Sequence, residues 1–360
     1  ELVGKTVFFR IVDQSRGGWG HVLLDDLRVH GILDPAAQAK RETFRKREAA
    51  LGSSRKALEN LTTTELQKAI TDLAATFGQR YPNATSFRRR LGEIEQRRTR
   101  ALHALAGKPE EKEQAQAIVQ DFSALRKEAL LANPAIRSRR ILFVTRPQYK
   151  RDHHNTATLF QTGEINTGKF QGPGALKVLS IAADGTVSPP QTLVDVPKGV
   201  ARDPEVHDSG RKILFSMRRN IKDDYHIYEV NADGTALKQL TFSPAVSDID
   251  PLYLPDGDIV FSSTREPKYC MCNRHIMANL FRMENDGANI HQIGKSTLFE
   301  GHGALLPDGR VMYYRWEYVD RNFGDAQGLW TVNPDGTNHA VYWGNNTASP
   351  GAVIDARPIP

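Results

Sequence analysis

Three periodicities follow one another along the chain. Residues 5–30, KTVFFRIVDQSRGGWGHVLLDDLRVH, alternate apolar and polar positions on either side of a Gly-Gly-Trp-Gly turn, the pattern of two strands and a loop. Two strands alone are marginal in water, so the rest of their sheet is expected upstream. From residue 35 to 133 the period becomes helical, with Ala, Leu, Glu, Lys, Gln and Arg dominating. Thr63 or Thr64, ahead of ELQKAI, is placed to cap a second helix. Breaks are expected at Gly52-Ser53-Ser54, Tyr81-Pro82-Asn83 and Gly107-Lys108-Pro109. They divide the segment into about four helices of roughly 15 to 25 residues, a helical hairpin or coiled-coil insert.

From residue 139 the pattern is β, and it repeats. IYEVNADGTALKQLT, LFRMENDGANIHQIG and LWTVNPDGTNHAVYW are three versions of one hairpin, and LKVLSIAADGTVSPPQTLV is a looser fourth. Their turn aspartates, Asp184, Asp233, Asp286 and Asp335, are separated by 49, 53 and 49 residues. A second motif keeps the same beat in HDSGRKILFSMRR, LPDGDIVFSSTRE and LPDGRVMYYRWEY, with Asp208, Asp256 and Asp308 spaced by 48 and 52. Four short strands recurring every 40 to 50 residues predict β-propeller blades. Three whole blades are expected over 203–242, 250–293 and 302–343, with most of one at 141–194 and the start of another at 353–360. About four to five blades of a six-bladed type are thus present, and the open ring exposes a sheet face.

Composition adds less. The chain is 39% hydrophobic and 25% charged, and no apolar run approaches the length of a membrane helix. The net charge of +6 is uneven: between Asp34 and Arg140 there are 22 Lys and Arg against 13 Asp and Glu, which leaves the remainder at −3. The basic residues lie among Glu and Ala at helical spacing without interleaved aromatics, a solvated helical face rather than a nucleic-acid surface. The opening ELVGKTVFFR lacks a Met and a leader-like apolar run, and DARPIP ends in the approach to a strand. A piece of a longer protein is expected, so no compartment follows from its first residues.

The candidate chemistry lies in two long loops between second and third strands, at 146–174 and 264–281. The second contains CMCNRH, which holds the only two cysteines, Cys270 and Cys272, with His275 three positions on. Thiolate and imidazole suit zinc, copper or haem iron. Three ligands fall one short of a structural zinc set, a place that His153, His154 or water would fill. The run misses the Cys-x-x-Cys-His spacing of covalent haem attachment, so c-type haem is not expected here. The alternative is that both cysteines are packing residues and His275 satisfies a carbonyl. Arg146, Tyr149, Arg265, Tyr269 and His302 are candidates for a ligand pocket beside them. His302 stands where other blades carry Asp-Pro, while Asp203, Asp248 and Asp250 read as turn formers ahead of the innermost strands. Hydrolase and phosphate-loop motifs are absent.

Two resemblances attach to these residues. GGWGH followed by DD, within about 30 residues, resembles the closing strands of galactose-binding-like jelly-roll domains. There Asp13, Trp19, His21, Asp25 and Asp26 would line a sugar or calcium site, unless Trp19 only packs beside its turn. The order DP, PDG, IVFSS, DGT, QLT resembles TolB-type, WD40-like blades. FVTRPQYKRDHHNTATLFQTGEI and CMCNRHIMANLFRMENDGANIHQIG further resemble the middle-domain family of the hydrazine synthase alpha subunit and its planctomycete-type paralogues, over some 230 residues. That resemblance implies a six-bladed propeller in an exported, periplasmic or extracellular multidomain protein. It also implies a haem and a zinc in the true synthase, whose haem-attachment pattern is missing here.

The expected organisation is a truncated β-sandwich remnant at 1–33, an α-helical or coiled-coil segment at 34–138 and an incomplete propeller at 139–360. The expected function is binding or scaffolding, with a metal-supported loop at Cys270, Cys272 and His275 and a small-molecule or protein ligand on the propeller face. Carbohydrate binding through the upstream module and self-association through the helices accompany it. The alternative is a metal- or haem-dependent oxidoreductase or lyase, with His153, His154, Tyr269 and Arg265 as acid, base and charge partners.

Overall fold

The computed structural model describes residues 35–105, 109–147, 172–266, 268–269, 276–317, 326–344, 347 and 349–359. The strand remnant expected at 5–30 lies outside them, as does most of the first long loop. Two compact units divide at residues 130 and 131.

The first unit holds α1 (Pro35–Glu59), α2 (Thr63–Phe77), α3 (Ala84–Ala104) and most of α4 (Pro109–Leu131). The break expected at Gly52-Ser53-Ser54 does not occur, and α1 runs through it to Glu59. One interior glycine costs only about 1 kcal/mol, which the flanking Ala, Leu, Arg and Lys residues offset. The helix stops instead at Asn60–Thr62. Thr62, one residue earlier than expected, is the N-cap of α2; its carbonyl accepts from Leu66 and its side chain makes no capping bond. Leu66, Ile70 and Leu73 of α2, Phe87, Leu91 and Ile94 of α3, and Ile118, Phe122 and Leu125 of α4 are buried. Such spacing of three or four residues puts one apolar stripe on each helix. Tyr81, 1% exposed, donates to the Ala129 carbonyl at 2.9 Å, satisfying one of the acceptors that the last turn of α4 leaves without an intrahelical donor.

Among the described residues the second unit holds four antiparallel sheets. Sheet I has β1 (Arg139–Thr145), β2 (Gly174–Ile181) and β3 (Gln191–Val196). Sheet II has β4 (Val200–Val206), β5 (Lys212–Arg218), β6 (His226–Asn231) and β7 (Lys238–Gln239). Sheet III has β8 (Asp248–Tyr253), β9 (Ile259–Ser263), β10 (Asn279–Met283) and β11 (His291–Gln292). Sheet IV has β12 (Glu300–Leu305), β13 (Val311–Trp316), β14 (Gln327–Val332) and β15 (Ala340–Trp343). Each pairs strands in chain order, so each is a meander, joined by short turns except at the longer connections after β1, β9 and β13.

Those turns carry the repeated Asp-Gly pairs. Asp184, Asp233, Asp286 and Asp335 each accept the backbone N–H two residues on, at 2.8 to 2.9 Å, and the following glycines take φ of 83° to 96°. A short carboxylate supplies the local acceptor, and a residue without Cβ supplies the left-handed conformation.

Successive sheets stack face to face, with an apolar layer in every interval. Ile213, Phe215 and Met217 of β5 pack toward sheet I, whereas Leu214 between them packs toward sheet III. Ile259 and Phe261 of β9 face sheet II, and Val260 faces sheet IV. Alternate side chains leave a strand on opposite faces, so a strand buried on both reads as an unbroken apolar run, ILF at 213–215 and IVF at 259–261. Met312 of β13 and Leu329 of β14 pack against Val353 and Ala356. The blade start expected at 353–360 forms no strand among the described residues; Ala352 makes a single parallel bridge with Gln327.

Candidate functional site

The first strands of successive sheets, β4, β8 and β12, lie beside one another, as innermost strands around a propeller axis do. All three carry the same irregularity. Pairing with the second strand slips between Arg202 and Glu205, between Ile249 and Leu252, and between Gly301 and Ala304, so two residues oppose one in each sheet. At the first of the two bulged positions stand Asp203, Asp250 and His302, with φ of 51°, 54° and 53°. Asp and His are among the side chains that enter this region most readily. Asp355 adopts φ of 59° in the segment after sheet IV.

This corrects the expectation for Asp203, Asp248 and Asp250. They do not form turns ahead of the innermost strands; they lie within those strands, and the bulge re-aims Asp203 and Asp250. His302 Nδ1 lies 3.4 Å from Asp250 Oδ1, with side chains 10% and 6% exposed. Arg202 Nε donates to Asp203 Oδ2 at 2.5 Å. Burial and then the facing Asp203 carboxylate push Asp250 up to about 6, against the opposing pull of His302 and Arg202. Burial, the largest single influence, would raise Asp203 as well, but the charge and hydrogen bond of Arg202, together with His302 and Asp250, outweigh it and hold that carboxyl below its ordinary value. Two neighbouring carboxyls in a dry site are thus driven apart in proton affinity, Asp203 below the ordinary carboxylate value and Asp250 above it.

A second polar group sits where the innermost strands begin, at the base of the loop between β9 and β10. Asp248, wholly buried, pairs with Arg265. Arg265 also donates to Ser263 Oγ at 2.8 Å and Ser243 Oγ at 3.3 Å. Burial raises the Asp248 carboxyl despite the Arg265 charge. On the other flank Lys268 donates to Asn279 Oδ1 and to the Ser296 carbonyl. Asn279 Nδ2 reaches Glu300 Oε2 at 2.7 Å, and Glu300, wholly buried at the start of β12, accepts from Ser296 N at 3.2 Å. Burial lowers Lys268 to about 8, with Glu300 and Glu266 opposing.

The expected site residues divide accordingly. Arg265 pairs with Asp248 at the loop base. Tyr269 is 56% exposed and forms an antiparallel bridge with Ile276, on the two sides of CMCNRH. Arg146 is exposed just beyond β1, and His302 belongs to the axial cluster. Tyr149, His153, His154, Cys270, Cys272 and His275 lie outside the described residues, as do Asp13, Trp19, His21, Asp25 and Asp26. Among the described residues, no group of three or more His, Cys, Asp and Glu side chains is placed to hold a metal ion. Arg202, Lys268, Asn279 and Glu300 were not singled out by sequence. The one available signal was the repeat itself: Asp203, Asp250 and His302 are 47 and 52 residues apart, close to the beat of the turns.

These sheets define the class, that of β-propeller repeat proteins, with a helical segment before the blades. No protein-family model and no curated protein matches the chain. Among solved structures it is similar to hydrazine synthase of Kuenenia stuttgartiensis, at 19% identity and TM-score 0.45, over 58% of this chain and 32% of that one. It is also similar to a putative TolB from Agrobacterium tumefaciens, at 19% identity and TM-score 0.38, over 48% of this chain and 57% of that one. TolB from Acinetobacter baumannii follows at 16% identity and TM-score 0.37, over 65% of this chain and 60% of that one. The chain therefore spans less than two thirds of the length of each. Among the described residues no helix is long and apolar enough to cross a membrane.

Proposed function

We propose that the chain is a recognition propeller, whose stacked blades present the loop between β9 and β10 to a small polar ligand or a partner protein. The observation that carries this is the anchoring of that loop. Buried ion pairs are poor stabilisers in themselves, yet Asp248 with Arg265 holds one flank, and Lys268 with Asn279 and Ser296 holds the other. The bridge between Tyr269 and Ile276 starts and ends CMCNRH at one place. Function on loops over a rigid scaffold is the general pattern of such folds.

Within this proposal Cys270, Cys272 and His275 hold zinc that shapes the loop, with His153, His154 or water completing the set. Two thiolates and an imidazole suit that ion, and the absent Cys-x-x-Cys-His run does not suit covalent haem. The exported, hydrazine synthase alpha-like character of the parent is part of the same proposal and is supported by the motifs quoted above. So are sugar binding through residues 1–33 and self-association through the helices.

The test is elemental analysis with a visible spectrum, on the chain and on a Cys270→Ser, Cys272→Ser double variant. One zinc per chain, lost in the variant, is the expected result. Haem absorbance would replace this proposal by the oxidoreductase or lyase alternative. No metal in either protein would return both cysteines to packing.

A further inference from the structure

The axial cluster is used by neither the loop nor the turns, and its chemistry is that of a proton. It draws one group from each of three successive blades, at three equivalent bulges, and each group sits on a backbone of positive φ that an unconstrained chain avoids. Asp250 Oδ2 and His302 Nε2 are buried and have no hydrogen-bond partner among the described residues. A carboxylate oxygen left that way costs the full desolvation of the group, whereas a protonated one becomes a donor to the facing Asp203. We infer that Asp203, Asp250 and His302 form a proton-binding site that ties sheets II, III and IV together at the axis while the carboxyl pair holds its proton and loosens them when the proton leaves.

The groups facing Asp250 are Asp203 and Arg202 from β4 and His302 from β12. Arg202 is already bound to Asp203, and His302 is the neighbour on the other side of Asp250, so losing the proton sets two carboxylates against each other beside a guanidinium already engaged by one of them. The folded chain holds the Asp250 proton at about 6 against an ordinary value of 3.8, which is roughly hundredfold more tightly. A raised carboxyl contributes stability that is complete below the ordinary value and is lost as pH rises through the folded one. The tie is therefore an acid-side device. It is complete below 3.8, declines between 3.8 and about 6 and is spent above that.

Thermal melts of the full chain across this range test the inference, with the Asp250 side-chain carboxyl followed by carbon NMR. In the parent chain, Tm is expected to fall as pH rises through the window and then to level off, while the Asp250 resonance titrates near the top of it. Asp250→Asn keeps the shape, tolerates the positive φ and mimics the protonated acid. It should abolish that part of the fall and melt above the parent at neutral pH. Asp203→Asn should move the Asp250 titration to lower pH by removing the facing charge. A parent Tm that does not change across the window, or an Asp250→Asn chain that keeps the same fall, overturns the inference. Should Asp250→Asn not fold, the NMR titration in the parent decides: an Asp250 carboxyl that titrates at its ordinary value overturns it equally.

Discussion

Replacing Arg265 by alanine should destabilise the propeller more than any other charge deletion at the loop base, because of what it leaves behind. Asp248 is wholly buried and Arg265 is 16% exposed at its side chain, so neither charge is well hydrated in the pair. Removing the cation strands the carboxylate in a dry site, a change that costs about 3–5 kcal/mol for buried pairs. With a urea m-value near 3 kcal/mol per molar, the unfolding midpoint should drop by about 1 to 1.7 M. The loss has a pH signature. Burial already raises the Asp248 carboxyl with Arg265 in place, and without Arg265 it rises further. A neutral acid is cheaper to bury than a carboxylate, so the deficit should be largest at neutral pH and shrink as pH falls toward the raised value. Asp248→Asn in the same chain should restore part of the stability, since the amide keeps partners without the charge. Urea melts of the parent, the two single variants and the double variant measure this as a cycle. A deficit in Arg265→Ala below about 1 kcal/mol would refute the reasoning. So would a deficit that does not depend on pH, or a double variant no more stable than Arg265→Ala alone.

Two further outcomes check the packing. Gly199 turns the chain from sheet I into sheet II, and a Cβ there would lie 2.0 Å from the Arg218 carbonyl oxygen. Gly199→Ala should therefore cost about 3 kcal/mol, the upper end for overpacking, since backbone must move to admit the methyl group; a melt like the parent's would show that the turn yields freely. In the helical unit, Tyr81→Phe removes only the bond to the Ala129 carbonyl and should cost about 1 kcal/mol, whereas Tyr81→Ala should cost about 3–5 kcal/mol through lost packing. Equal effects from the two would place the whole contribution in the hydroxyl.

How legible each feature was follows from how local its cause is. The Asp-Gly turns were readable because the carboxylate, the N–H it accepts and the left-handed glycine lie within three residues. The blade beat was readable because every interval between sheets needs apolar side chains on both faces of its middle strands, which leaves runs such as ILF at 213–215 and IVF at 259–261. The boundary of α1 was misplaced because one interior glycine is a weak signal beside a long run of strong helix formers. The axial cluster was not readable as a site. Asp203, Asp248 and Asp250 have the same side chain in similar short contexts, yet one is bound by Arg202, one by Arg265 and one faces another carboxyl.

What the sequence determined by itself is the order of helical and β segments, the repeat, its turns and the choice of CMCNRH as the chemically distinctive loop. Hydrogen bonds and periodicities of a few residues suffice for that. Only the tertiary structure decided the roles of the buried charges. Burial, the bulge that re-aims a side chain and the approach of groups about 50 residues apart in sequence are properties of stacked blades, and the proton affinity of Asp250 depends on all three.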